Sequence, residues 1–139
     1  MQITRRDTLV MGAGAAVATF MPLQAFADAT EDATMAFADG GEVSDGGVEL
    51  TAPEIAENGN TVPISVSAPG AVSIVILATG NPIPAVIRFD FGPLAGAQSA
   101  STRCRLAGTQ DVIALAKMAD GSVKRGSATV KVTIGGCGG

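Results

Sequence analysis

The segment DVIALAKMADGSVKRGSATVKVTI, residues 111–134, decides the fold. Its first part, residues 111–118, fits either a helix or a strand. The Asp120-Gly121 pair that follows is a strong signal for a tight β-hairpin turn. The returning arm, residues 128–134, alternates branched apolar side chains with polar ones, as a strand with one buried face does. We therefore predict a hairpin of two strands here.

Upstream of this hairpin, the chain is divided into further short strands by Gly and Pro. VPISVS (62–67) alternates, which predicts a strand with an edge proline at Pro63. VSIVIL (72–77) is continuously apolar and predicts a strand buried on both faces. Residues 87–91 and 102–106 also alternate. The pattern predicts an all-β fold, an immunoglobulin-like antiparallel β-sandwich over residues 51–134.

The segment before the sandwich is acidic and weakly patterned. We expect residues 28–50 to form a loosely docked N-terminal segment with a short helix over residues 31–37. Thr51-Ala52-Pro53-Glu54 has the form of a capping box, and Asn58-Gly59 supplies a stop signal. These signals predict a second short helix over residues 52–57.

Residues 1–27 have the features of an export signal. Arg5 and Arg6 precede a short uncharged run rich in small residues, and Ala25-Phe26-Ala27 predicts cleavage after Ala27. The arginine pair favours the twin-arginine route, with an ordinary secretory signal as the alternative. We expect a periplasmic protein that has no membrane anchor after cleavage.

Composition narrows the possible functions of the exported chain. Without residues 1–27 it has seven basic and twelve acidic residues, a formal net charge of −5, so nucleic acid is a poor partner. The sequence contains no His, which removes the usual general base and the Cys-His and Ser-His nucleophile pairs. Two cysteines and carboxylates make a poor zinc ligand set. We predict that the domain brings little catalytic machinery of its own and holds no metal.

The chain ends in GGCGG, residues 135–139, which we name the carrier arm. Glycine has no side chain to bury, so Gly135, Gly136, Gly138 and Gly139 predict a flexible stem around the Cys137 thiol. Two other interpretations remain open. The end is a frayed terminus with an incidental cysteine, or Cys137 forms a disulfide with Cys104.

The arm and several internal segments resemble the SoxY family, the sulfur-carrier subunit of the SoxYZ complex. GGCGG directly after VKVTI is the most specific feature. Shorter similarities are spread over residues 54–139, namely Ala56-Glu57-Asn58-Gly59, Val62-Pro63-Ile64, Asn81-Pro82 with Pro84, Thr102-Arg103, Leu106-Ala107, Thr109-Gln110 and Met118 to Ser122.

The resemblance implies a function. Cys137 would hold sulfur intermediates covalently during periplasmic thiosulfate oxidation, with no other cofactor, while SoxAX, SoxB and SoxCD-like enzymes act on them. It also implies a heterodimer with a SoxZ-like β-sandwich subunit, for which Ile83, Val86 and Ile87 are candidate contacts. Cys104 matches no functional position of the family and is predicted to be a buried free thiol, with an inter-subunit disulfide as the alternative.

Two rival functions remain open from the sequence. The first is an exported immunoglobulin-like structural or binding module with an incidental C-terminal cysteine. The second is a redox or metal-handling protein that uses Cys137 together with Cys104. A free cysteine thiol has a pKa of about 8.5, and the nearby C-terminal carboxylate opposes ionisation. We therefore expect Cys137 to be activated inside partner enzymes.

Overall fold

The computed structural model describes residues 22–135, with side chains from residue 25 onward. One helix and nine strands lie in this range. They are α1 (Pro22–Ala38), β1 (Val43–Asp45), β2 (Glu49–Thr51), β3 (Ile55–Asn58), β4 (Val62–Ser67), β5 (Ala71–Ala78), β6 (Ala85–Asp90), β7 (Ser99–Cys104), β8 (Gln110–Met118) and β9 (Val123–Ile134).

The strands form two open sheets, which confirms the predicted all-β sandwich. The large sheet has the order β1-β9-β8-β5-β6, with β3 also paired to β9, and the small sheet has the order β2-β4-β7. The longer neighbours pair antiparallel. The short strands β1 and β3 instead pair parallel with β9, so the sandwich is not antiparallel throughout.

The predicted hairpin is formed by β8 and β9, which pair from Gln110–Val130 to Lys117–Val123. Gly121 adopts a φ of 88°, and the Met118 N–H donates to the Ser122 carbonyl over 2.8 Å. A positive φ favours glycine because it has no β-carbon. β9 begins at Val123, five residues before the start of the returning strand predicted over residues 128–134. It is the longest strand in the described chain.

The core lies on both faces of β5, as its continuous apolar run predicts. Ile74 and Ile76 are buried between the two sheets, whereas Val75 and Leu77 are buried on the outer face of the large sheet. The side chains with the largest volumes among those that are fully buried are Ile64, Ile74, Ile76, Leu77, Leu106, Leu115, Val62, Val112, Val123 and Val130.

The N-terminal segment is docked, which corrects the expectation of a loosely docked start. Phe37 and Ala38 of α1 pack on Val75, Leu77 and their neighbours on the outer face of the large sheet. The helix is longer than predicted and crosses the predicted cleavage point after Ala27, while Arg5 and Arg6 lie outside the described residues. Within residues 22–135, no helix has the length and apolar character needed to cross a membrane.

The predicted helix over residues 52–57 is wrong. Residues 55–58 form β3 and pair with β9, and the Lys131 N–H donates to the Glu54 carbonyl over 2.9 Å. A helix of two turns is marginal by itself. Pairing with β9 gives the same backbone groups partners and also buries Ala56 in the core.

The predicted strand over residues 62–67 is β4, and it lies in the middle of the small sheet, between β2 and β7. The neighbouring strand β2 pairs only with Ser65, Val66 and Ser67. Pro63 therefore lies beyond the end of β2, and its missing N–H leaves no gap in that ladder.

Candidate functional site

The described chain ends at Gly135, the first residue of the carrier arm. Gly136, Cys137, Gly138 and Gly139 lie outside the described residues. What the structure gives is the place where the arm leaves the sandwich. We name this place the tail root, and it consists of residues 58–59, 105–109 and 132–135.

The last residues of β9 extend past its hairpin partner. Pairing of β9 with β8 ends at Val130. Residues 131–134 therefore have other hydrogen-bond partners, one set on each side of the strand. On one side they pair with β3, where Asn58 lies opposite Ile134. On the other, the Val132 N–H donates to the Thr109 hydroxyl over 3.0 Å. The end of β9 is thereby fixed between two parts of the tail root.

Gly59 connects the end of β9 to the loop of residues 105–109. Its N–H donates to the Ile134 carbonyl over 2.8 Å, and its carbonyl accepts the Leu106 N–H over 2.7 Å. Leu106 is fully buried, so this loop is anchored in the core. The backbone leading to the arm is therefore held up to Ile134.

Gly135 lies directly against the carbonyl oxygen of Ala107. A β-carbon built on Gly135 would approach that backbone oxygen more closely than real β-carbons do. Because both atoms belong to backbone, neither can move aside as a flexible side chain would. The need for glycine at position 135 thus has a steric reason, in addition to the flexibility that the sequence suggests.

Asn81 holds the loop of residues 105–109 from the side opposite Gly59. Its side-chain Nδ2 donates to the Arg105 carbonyl over 2.8 Å, and its Oδ1 accepts the Ala107 N–H over 2.9 Å. The Gln110 side chain donates to Asn81 Oδ1 and to the Gly108 carbonyl, each over 3.0 Å. These bonds hold three backbone groups of the loop, the Arg105 carbonyl, the Ala107 N–H and the Gly108 carbonyl.

Several segments that carry the family resemblance meet at this point. Asn58-Gly59, Asn81, Leu106-Ala107 and Thr109-Gln110 are far apart in the sequence but are joined by the hydrogen bonds described above. The sequence alone does not show this convergence, because each contact joins residues distant along the chain. Sequence reasoning named Asn81 and Ala107 only as parts of the family resemblance and gave them no role at the site.

Cys104 is a buried free thiol at the end of β7, as predicted. Only 5% of the residue is exposed, and burial raises the pKa of its thiol above the ordinary value. A protonated, enclosed sulfur is a weak nucleophile. This burial argues against the alternative of an inter-subunit disulfide through Cys104.

The candidate partner contacts lie at the free edge of the large sheet. Ile83 is 75% exposed, while Val86 and Ile87 on β6 are partly buried against the core. A groove of about 460 Å³ separates β6 from α1 and is lined by Phe37 and Arg88 among others. Within the described residues, no three His, Cys, Asp or Glu side chains gather as a metal site would require.

The comparisons with known proteins agree with this architecture. The family model described as sulfur oxidation protein SoxY matches residues 33–137, so the chain belongs to the SoxY family. It is similar to the solved sulfur carrier protein SoxY from Chlorobium limicola f thiosulfatophilum, with 34% identity and a TM-score of 0.68. That similarity covers 78% of this chain and 99% of the other. A search of the curated proteins found no match.

More distant structures share the fold. A superoxide reductase (neelaredoxin) from Ignicoccus hospitalis is 16% identical with a TM-score of 0.55, over 63% of this chain and 80% of that chain. A putative superoxide reductase from Thermotoga maritima is 19% identical with a TM-score of 0.50, over 69% and 89%. At these identities the likeness concerns the β-sandwich alone.

Proposed function

We propose that this protein carries sulfur intermediates covalently on Cys137 during periplasmic thiosulfate oxidation. The observation that carries the proposal is the family match, which extends through the sandwich to Cys137. The tail root supports it, because the chain end starts from a fixed point at Gly135. A sulfur atom on a glycine stem beyond that point suits presentation to other proteins.

The length of the arm limits how far the sulfur can travel. At about 3.3–3.6 Å per residue, the Cα of Cys137 lies within about 7 Å of the Cα of Gly135. An enzyme that receives this cysteine must therefore bring its entrance to the tail root. Glycines on both sides of Cys137 keep the stem narrow, so it can enter a tight channel.

The chemistry of the cycle needs nothing from this domain except a thiol. The Cys137 thiolate and the outer sulfur of thiosulfate form an S–S bond, and the two electrons released pass to the haem of a SoxAX-like partner. Water then releases the sulfonate group as sulfate through a SoxB-like hydrolase, which leaves an extra sulfur on Cys137. A SoxCD-like dehydrogenase removes six electrons from that sulfur, passes them to its own redox centres and adds three oxygen atoms from water. A second hydrolysis releases the resulting sulfonate as sulfate and restores the thiol.

The carrier itself is not an enzyme in this proposal, and it brings no cofactor. The carried sulfur is substrate, and the redox centres and hydrolytic sites belong to the partners. The predicted export signal with Arg5 and Arg6 fits a periplasmic location. A twin-arginine route would export the folded domain, so a partner without its own signal could travel with it.

The second subunit is proposed to be a SoxZ-like β-sandwich bound at the edge of β6. An edge strand has unpaired backbone groups, and here it lies beside the exposed Ile83 and the partly buried Val86 and Ile87. Burying these side chains against an apolar face would remove them from water.

Intact-mass analysis of the protein from cells grown on thiosulfate tests the carrier function. We expect sulfonate or sulfane additions on Cys137, and their loss in Cys137→Ser together with growth on thiosulfate. Cys104→Ala is the matched control and should keep both. An unmodified thiol and normal growth of Cys137→Ser would favour the structural module, whereas a loss of two hydrogens would indicate the Cys104–Cys137 disulfide.

A further inference from the structure

We propose that Asn81 is a positioning residue for the carrier arm. Its side chain bonds the Arg105 carbonyl and the Ala107 N–H, and the Ala107 carbonyl lies against Gly135, the residue from which the stem of Cys137 extends. This inference rests on the proposed carrier function. It gives Asn81 and Ala107, which lie outside the arm, a part in delivering the sulfur.

The first step is the bond pattern of the Asn81 amide. Its Oδ1 accepts the N–H of Ala107, and its Nδ2 donates to the carbonyl of Arg105. One side chain thereby bonds the backbone of two residues in the same loop, Arg105 and Ala107. The Asn81 N–H itself donates to the Ala78 carbonyl over 3.2 Å, at the end of the buried strand β5. The loop is thus tied to a rigid element of the large sheet.

The second step is the part of Gln110, which fixes the orientation of the Asn81 amide. Gln110 Nε2 donates to Asn81 Oδ1, while Gln110 Oε1 accepts the Gly80 N–H over 2.8 Å. Gln110 is buried and lies at the start of β8. Both residues therefore hold the loop of residues 105–109 from strands that belong to the core.

The third step joins this loop to the arm. The Ala107 carbonyl occupies the space where a side chain at position 135 would begin. On the other side of the tail root, Gly59 holds the Ile134 carbonyl and the Leu106 N–H. The Ala107 carbonyl therefore limits the directions in which the chain can pass from Ile134 to Gly135, and Asn81 helps to hold Ala107 in place.

Direction matters because the arm is short. Cys137 is the second residue after Gly135, about 7 Å away at full extension, so a change in exit direction shifts the region that the sulfur can reach on its flexible stem by up to a similar distance. Such a shift lowers the fraction of arm conformations in which the sulfur is aligned with the reacting atoms of a docked enzyme. A partner enzyme that docks on a fixed surface would then meet the sulfur in the wrong place.

The test measures loading of the carrier by its thiosulfate-coupling haem partner, with the full carrier complex as the varied substrate. We expect Asn81→Ala to lower kcat/KM for loading by about tenfold or more. The rate of Cys137 alkylation by iodoacetamide should stay at the wild-type value, because the thiol itself is unchanged. Asn81→Asp keeps the acceptor for the Ala107 N–H and should retain more activity than Asn81→Ala.

Asn60→Ala is the matched control. Asn60 lies beside Gly59 and its backbone N–H donates to Asn58 Oδ1 over 3.0 Å, so truncating its side chain leaves the bonds described above in place. Gly135→Ala disturbs the contact between Gly135 and the Ala107 carbonyl from the side of the arm, and it should lower kcat/KM as well. Because both changes act through Ala107, the double variant should lose less than the product of the two single losses.

Hydrogen exchange gives a readout that does not depend on the enzyme. The Ala107 amide should exchange faster in Asn81→Ala than in the wild type and Asn60→Ala. The inference is overturned if Asn81→Ala is loaded as the wild type is, if alkylation slows in parallel with loading, or if the losses of the double variant multiply. If wild-type Cys137 is never loaded, the proposed function itself fails.

Discussion

The guanidinium carbon of Arg88 lies 5.7 Å from the centre of the Phe37 ring. The ammonium of Lys117 lies 5.9 Å from the same centre. Cations at this distance from an aromatic ring are attracted by its electron-rich face. Phe37 therefore joins α1 to the large sheet through its apolar contacts and through charges on β6 and β8.

Phe37→Ala should destabilise the domain by about 3 kcal/mol, because it removes a large buried side chain and leaves a cavity over Val75 and Leu77. Urea unfolding followed by circular dichroism measures the change. Met35→Ala in the same helix is the control, since Met35 is 57% exposed and its truncation should change stability by less than about 0.5 kcal/mol. Equal effects of the two substitutions would contradict the docking of α1.

Ser73→Ala should leave the free energy of unfolding unchanged or raise it by up to about 1 kcal/mol. Ser73 is 2% exposed, and among the described residues its hydroxyl has no hydrogen-bond partner. Removing an unpaired buried hydroxyl removes its desolvation cost. Ser65→Ala is the comparison, because the Ser65 hydroxyl lies 2.9 Å from that of Ser101, and this variant should be slightly less stable. A clear loss in Ser73→Ala would reveal a bound water.

Stability should fall with rising pH in a way that depends on Cys104. Burial raises the pKa of this thiol above its ordinary value, so the folded state keeps the proton where the unfolded state loses it. The contribution to stability is therefore complete below the pKa of the unfolded state and is lost as the pH rises through the folded-state pKa.

Urea unfolding on both sides of pH 9.0 measures this dependence, in a Cys137→Ser background that leaves one titrating thiol. Cys104→Ala should show a smaller decline with pH than the parent protein. Identical declines would mean that Cys104 ionises as easily in the folded state as in the unfolded one.

Ile83→Asp should weaken the proposed heterodimer by about tenfold or more, because it places a charge in an apolar interface. Titration calorimetry with the second subunit measures the Kd. Ile55→Asp is the matched control, since Ile55 is 61% exposed and lies on β3, at the opposite edge of the large sheet. If Ile55→Asp weakens the complex and Ile83→Asp does not, the partner binds at that other edge.

The sequence predicts the parts of this fold that depend on local patterns. The hairpin follows from Asp120-Gly121, and the burial of both faces of β5 follows from its unbroken apolar run. Cys104 shares a face with Leu106 in the sequence pattern, and both are buried in the structure. In each case the periodicity of side chains determines which face meets the core.

Local patterns fail where pairing with a distant strand decides the outcome. Thr51 to Glu54 has the residues of a helix start, but β9 offers backbone partners to residues 55–58 that outweigh this signal. The contact of Ala107 with Gly135 involves backbone atoms alone, so it leaves no trace in the side chains around it. The role of Asn81 is likewise absent from the local sequence pattern, because its side chain bonds a loop that is distant along the chain.

The way β9 is held has a mechanical consequence for the chain end. β1, β3 and β8 all run alongside this strand, two of them parallel to it and one antiparallel. Tension applied along the length of β9 would therefore shear many backbone hydrogen bonds at once and would not unzip them one after another. The strand that leads to Cys137 is thereby held along its length by its neighbours.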